Sequence, residues 1–72
     1  MTMRISARNQ LQAKVKSVTL GAVMAEVVLE VANGQEIVSA ITRTSVESLS
    51  LNVGDDVIAI IKSTEVLIGK DE

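Results

Sequence analysis

The sequence predicts an all-β protein: a small OB-like barrel of five strands, with one short helix between strands 3 and 4, forming a single domain over residues 1–72. Three observations carry this. Apolar residues alternate at period 2 along several stretches, the signature of half-buried strands. Asn33-Gly34 separates two of those stretches, and that dipeptide is a strong short-range hairpin signal. A single interruption, residues 44–49, carries the capping and spacing of a helix instead.

The elements follow in order. The stretch Ser6-Ala7-Arg8-Asn9-Gln10 is polar except for its alanine, and an alternating pattern starts directly after it. It could be a solvated lead-in to a strand, or a set of donors held at a sheet edge. Leu11, Ala13 and Val15 point one way, while Gln10, Gln12, Lys14 and Lys16 point the other. After Lys16 the phase slips, so that Val18 and Leu20 become the apolar set. One extra residue near Lys16-Ser17, a β-bulge, would do this and would bend the strand. Leu20-Gly21-Ala22 reads as a turn. Val23, Ala25, Val27, Leu29 and Val31 then form one face of a second strand, with Met24, Glu26, Val28 and Glu30 on the other.

A third strand follows the Asn33-Gly34 turn and runs from Glu36 to Thr42. Thr44 or Ser45 can cap the helix, Thr44 and Glu47 have capping-box spacing, and Val46 and Leu49 share a side. Residues 52–56 form a polar turn containing Gly54. Residues 57–61 are apolar on both faces, which predicts a strand buried on both. Val66, Leu67 and Ile68 make a short fifth strand before a solvated tail. The strand at 58–61, with outward Met24 and Val28, gives more apolar surface than one small barrel covers. That surplus marks either a partner surface or additional core.

Composition removes whole classes of function. A chain of 72 residues is marginal alone and usually needs a staple. With no Cys and no His, it has neither a disulfide nor the common zinc and copper ligand sets, which leaves oligomerisation. With no aromatic residue it cannot stack single-stranded bases, and a net charge of −2 gives no broad basic footprint for nucleic acid. No apolar run approaches the roughly 20 residues of a membrane span, and no apolar segment of signal-peptide type follows Met1-Thr2-Met3-Arg4. The expected location is the cytoplasm.

Candidate catalytic arrangements are weak. Glu26 and Glu30 share a strand face but lie roughly 13 Å apart, beyond the reach of a glycosidase pair. Asp55-Asp56 reads as ordinary turn chemistry rather than a cation site. Without His or Cys the usual triads are absent, and Lys62 and Ser63 are poorly placed as a dyad. The four glycines are scattered singly, so there is no phosphate loop. No metal cation ligand set and no enzyme chemistry emerge.

A donor set remains. Ser6, the Ala7 N–H, Arg8 and Asn9 lie at the start of the first strand. Thr42 and Ser45 flank the start of the helix, where N–H groups favour an anion. Lys62 and Ser63 lie where the fourth strand ends. Each is unremarkable alone, since a Ser or Thr near a helix start is usually a cap and a lone Arg is usually solvated. Together they are hydroxyls, amides and two cations that one barrel rim, or two facing rims, could gather around a small anion.

The runs Ile5-Ser6-Ala7-Arg8-Asn9-Gln10-Leu11, Ala25-Glu26-Val27-Val28-Leu29-Glu30 and Ile60-Ile61-Lys62-Ser63-Thr64-Glu65-Val66 resemble the molbindins. These are small molybdate-binding proteins whose domain also occurs in molybdate-responsive regulators and transport ATPases. The resemblance spans nearly the whole chain. It implies an OB-like β-barrel and a homohexamer, a trimer of dimers, with oxyanions bound between subunits. It also implies binding of molybdate, and similarly tungstate, for storage or buffering in the cytoplasm. Carried over residue by residue, the main site is Ser6, Ala7, Arg8, Asn9, Thr42, Ser45, Lys62 and Ser63. The first four and the Lys62-Ser63 pair match the family pattern directly, while Thr42 and Ser45 match in type and spacing. The resemblance further implies that residues 6–9 and Lys62-Ser63 are two halves that meet only when subunits do. A second kind of site near the threefold axis has no assignable motif here. The competing reading is an oxyanion-sensing or assembly module acting on a partner protein in trans.

Overall fold

The computed structural model describes residues 4–71. Four strands form one antiparallel sheet: β1 (Asn9–Leu20), β2 (Met24–Glu30), β3 (Glu36–Thr42) and β4 (Asp56–Ile61), in the order β3-β2-β1-β4. A helix, α1 (Arg43–Leu49), links β3 to β4. Short 3-10 turns lie at Ala32–Gly34 and Ser63–Glu65.

The phase slip in β1 is a register shift between Val15 and Ser17 in the pairing with β2. On the other side of β1, Val15 donates its N–H to the Asp55 carbonyl at 3.0 Å and accepts from the Gly54 N–H at 2.8 Å. The turn before β4 is thereby stitched to the bulge. Gly54 has φ of +94°, a conformation glycine adopts without steric cost.

The alternation selects the inward residues in the middle of β1 and β2 but not at their ends, where Leu11, Leu20 and Val23 are exposed. Ala13, Val15, Ala25, Val27, Leu29, Val46 and Ala59 are buried. Val15, at 2% exposure, is the anchor, and burying a valine contributes about 1.5–3 kcal/mol. Three of these seven side chains are alanines, so the core is thin.

Three expectations are corrected. Residues 66–68 are not a strand, so the sheet has four strands rather than five and no barrel closes. Leu67 and Ile68 are 93% and 92% exposed. The free edges of β3 and β4 instead border an apolar cleft of about 290 Å³ over Val15, Val27 and Leu29. Second, β4 is an edge strand and is not buried on both faces: Ala59 is buried, but Ile60 is exposed. An apolar strand needs a second layer to cover its outer face, and the described residues supply none there. Third, the helix is capped two or three residues earlier than expected, by Thr42 rather than Thr44 or Ser45. Val46 enters the core, but Leu49 stays exposed, because the chain turns at Ser50 with left-handed φ of 51° and Leu51 packs inward instead.

The Asn33-Gly34 reversal is present, with φ of +64° and +76°, inside a longer loop closed by Val31 N–H donating to the Gln35 carbonyl. On the outer face Glu30 and Glu36 sit directly opposite each other. Lys16 pairs with Glu36, and Lys14 pairs with Asp56 at 2.6 Å. Hydrogen bonding to these carboxylates, then their charge, raises both lysine pKa values.

Two predictions follow from these contacts. The Gly21 N–H donates to the Met24 carbonyl at 2.7 Å, and a Cβ on Gly21 would lie 2.8 Å from that oxygen. Relief by backbone movement is blocked because Arg43 holds the same turn, through its N–H to the Val23 carbonyl and its guanidinium to the Gly21 carbonyl. Gly21→Ala should cost about 1–3 kcal/mol in urea unfolding; a cost below 0.5 kcal/mol, within the usual surface range, would show that the turn yields. The lysine pairs give a pH dependence with a definite sign. Because both pKa values are higher in the folded state, their stabilisation is complete below the ordinary lysine value and is lost as pH rises through the folded one. The melting temperature should therefore fall above about pH 10.4, and less so in Lys16→Gln.

Candidate oxyanion site

The β1–β4 pairing decides where the donors sit. Asn9, the first residue of β1, is opposite Ile61, the last of β4. Residues 6–8 lead into β1 at that end, and Lys62 and Ser63 leave β4 at the same end. The two direct-match segments are therefore neighbours within one chain. This corrects the expectation that they meet only when subunits do. Ser6, Arg8, Lys62 and Ser63 are exposed there, while Ala7 and Asn9 are half-buried.

Thr42 and Ser45 lie elsewhere. Thr42 is opposite Met24, and the adjacent Ala25 is opposite Leu20, so Thr42 is level with the far end of β1. The 12 residues of β1 run roughly 36–40 Å along the strand. Six donors thus gather at one end of the sheet and two at the other. A single chain brings the six together and does not bring the eight together.

Charge separates this end from the rest of the surface. Lys14, Lys16 and Arg43 all pair with carboxylates. Among the described residues Arg4, Arg8, Lys62 and Lys70 form no ion pair, and of these Arg8 and Lys62 bracket the Asn9–Ile61 end. A cation without a carboxylate partner is free to meet an anion. Of the two acids expected to be turn chemistry, Asp55 accepts from the Asn52 N–H at 2.9 Å within the turn, whereas Asp56 opens β4 and pairs with Lys14 across to β1. No cluster of three or more metal-ligating side chains occurs among the described residues.

Hydrogen bonding orients the donors. The Thr42 hydroxyl accepts from the Ser45 N–H at 3.1 Å and lies 2.8 Å from the Ser45 hydroxyl. The cap consumes the Ser45 N–H that the sequence reading had left for an anion. When Ser45 donates its hydroxyl proton as well, both Thr42 lone pairs are engaged and its own O–H remains to donate outward. At the other end, Gln10 donates its side-chain N–H to the Ala7 carbonyl at 2.8 Å. Gln10 lies outside the donor set read from sequence, where alternation made it only an outward strand residue. Its polar amide, three residues after the half-buried Ala7, was the available signal.

A family model for the TOBE domain matches residues 5–68. The chain belongs to the TOBE-domain family. Within it, molybdenum-pterin-binding protein 3 of Clostridium pasteurianum is 52% identical over 66 residues, covering 92% of this chain and 97% of that protein. A molybdate-binding protein from Sporomusa ovata superposes with a TM-score of 0.88 at 47% identity, over 94% of this chain and all of that one. The cytoplasmic molybdate-binding protein ModG, solved with molybdate bound, gives 0.80 at 44% identity over 85% of this TOBE domain and 43% of ModG.

The Thr42 cap can be tested apart from any ligand. Thr42→Val should cost about 1 kcal/mol in chemical unfolding, and Thr42→Ser should restore most of it. Equal stability of the valine and serine variants would show that the cap contributes nothing.

Proposed function

We infer that this TOBE domain binds molybdate, with tungstate as a close substitute, and holds it for storage and homeostasis in the cytoplasm. The observation that carries this reading is the pairing pattern of the cations. Arg8 and Lys62 stand without carboxylates beside the hydroxyls and amides of residues 6–9 and Ser63. Molybdate is a tetrahedral dianion with no proton at neutral pH, so it needs donors and no acceptors. Lys, Arg and backbone N–H only donate, and Ser and Thr hydroxyls can turn to donate. Monohydrogen phosphate carries a proton and wants an acceptor. Sulfate lacks one and must be discriminated by size.

The similarity to molybdate-binding proteins over nearly the whole chain supports the same ligand. The relative's name includes a pterin. This chain has no aromatic ring to stack on one, so the bare oxyanion is the better fit.

The binding unit is a homo-oligomer, read as a hexamer built as a trimer of dimers, with anions between subunits. Two features support it. Among the described residues twelve large apolar side chains are exposed against seven buried ones, Val66, Leu67 and Ile68 are exposed, and the cleft is itself apolar. Thr42 and Ser45 of one copy can join residues 6–9 and Lys62-Ser63 only across a subunit boundary, because they lie at opposite ends of one sheet.

Calorimetric titration with molybdate, tungstate, sulfate and phosphate, read beside the mass in solution, tests the reading. Molybdate and tungstate should bind, raise the melting temperature and increase the oligomer fraction. A hundredfold excess over the dissociation constant stabilises by about 2.7 kcal/mol. Arg8→Ala should keep the fold and weaken binding by roughly tenfold or more, through loss of a charge-assisted donor. A folded protein whose melting temperature ignores saturating molybdate would exclude this function.

A further inference from the structure

Seven residues are too few for a helix to hold itself in water. What fixes α1 therefore also fixes the two donors at its start. Thr42 is the last residue of β3, opposite Met24, and the strand ladder holds it. Ser45 is carried by the helix. Its hydroxyl stays 2.8 Å from that of Thr42 only while the first turn keeps its angle to the strand. Val46 is the one buried side chain of α1. A single core anchor leaves so short a helix free to tilt about it.

A second anchor comes from Arg43, the first residue of the helix. Its N–H donates to the Val23 carbonyl at 2.8 Å, which carries the β2–β3 ladder one step into the helix. Its guanidinium is used twice. Nη1 donates to the Gly21 carbonyl at 3.3 Å, and Nε donates to Glu47 Oε2 at 3.3 Å, one turn along the helix. Among the described residues no other side chain of α1 hydrogen-bonds to the β1–β2 turn. That turn is itself closed, by the Gly21 N–H on the Met24 carbonyl at 2.7 Å. One planar fork thus ties the start of the helix to a closed turn and, through Glu47, to the next turn of the helix.

We propose that Arg43 is a positioning residue for the oxyanion: it holds the first turn of α1 against the β1–β2 turn, and so keeps the Ser45 hydroxyl in register with that of Thr42. Arg43 is not a ligand, because its charge is paired with Glu47 and its donors are used within the chain. Two donors act on one anion only when each is held to within about 0.5 Å. This role rests on the oxyanion-binding reading above and names what supports the Thr42-Ser45 half of it.

Arg43→Lys keeps the positive charge and loses the planar fork. Molybdate is titrated into wild type, Arg43→Lys, Ser45→Ala, Arg8→Ala and the two double variants that carry Arg43→Lys. The mass in solution and the urea midpoint of each are measured without ligand. Arg43→Lys should weaken molybdate by roughly three- to tenfold, the range expected for one lost hydrogen bond. The same change should cost less than about twofold where Ser45 is already alanine, and its full amount in Arg8→Ala, because coupling is confined to the group that Arg43 positions. An undiminished cost in Ser45→Ala would overturn the proposal, since Arg43 would then act as a ligand in its own right. So would wild-type affinity in Arg43→Lys, or a cost that vanishes in both backgrounds. Loss of folding or assembly in ligand-free Arg43→Lys would overturn it as well, by showing a purely structural role. Absence of molybdate binding in wild type would instead reject the functional reading and with it the need for this support.

Discussion

Val15 is the point on which this small sheet turns. Its side chain is among the most deeply buried of the described residues, and its backbone N–H and C=O are both given to the Gly54–Asp55 turn. Immediately after it, β1 shifts register against β2. One strand of 12 residues can then serve two partners: β4 along its first half and β2 along its second. A straight strand of that length would give a flat ribbon with both faces wet. The bulge adds bend and twist, so that the edges of β3 and β4 face each other across the cleft. It also fixes β4 relative to β1, and the pairing of Asn9 with Ile61 is the far end of that same ladder.

That ladder turns a fold into a binding surface without any residue reaching far. β1 begins and β4 ends side by side, so residues 6–9 and Lys62-Ser63 need only follow their strands to become neighbours. The electrostatics agree with the topology. Cations on the sheet body are neutralised by Asp56, Glu36 and Glu47, while Arg8 and Lys62 stand at the ladder's end beyond the reach of those acids. Exposed pairs of that kind contribute little to stability. Their consequence here is distributional: they leave Arg8 and Lys62 without a carboxylate partner at the ladder's end on a chain whose total charge is −2.

Much of this was legible in the sequence where period 2 and local chemistry decide the outcome. Ala13, Val15, Ala25, Val27 and Leu29 are inward as their alternation requires, the slip near Lys16-Ser17 is a bulge, and Glu36–Thr42 is a strand. The fifth strand was not recoverable. Val66-Leu67-Ile68 has the composition of a strand, but a strand needs an edge to pair with, and composition does not say whose edge. β4 failed in the same way: residues apolar on both faces imply two apolar layers, and the sequence does not say whether the fold of one chain supplies the second. The helix cap went to Thr42 because β3 ends there. Thr44, which had the better capping-box spacing, is already inside the helix. For the donors, residue type was visible, but their division between two ends of the sheet depended on strand order, which alternation does not encode.

That division makes folding, assembly and anion binding one problem on the proposed reading. A core of seven side chains, three of them alanine, is too thin to be the main source of stability for 72 residues. The surplus apolar surface lies on β4, on the outer faces of β2 and β3, and on the segment after β4, so covering it joins copies along the edges where the sheet is open. The same joining is what can bring Thr42 and Ser45 of one copy toward Arg8 and Lys62 of another. Before it occurs, Arg8 and Lys62 share one end of the sheet without an anion and the edges of β3 and β4 lack hydrogen-bond partners; the second cost favours assembly, while the first is present in the single chain and is relieved by the anion. An anion between subunits removes the repulsion at the moment the edges are satisfied. A dianion with no proton suits this role better than a carboxylate side chain would, because it can accept from several directions at once and can leave again when its free concentration falls.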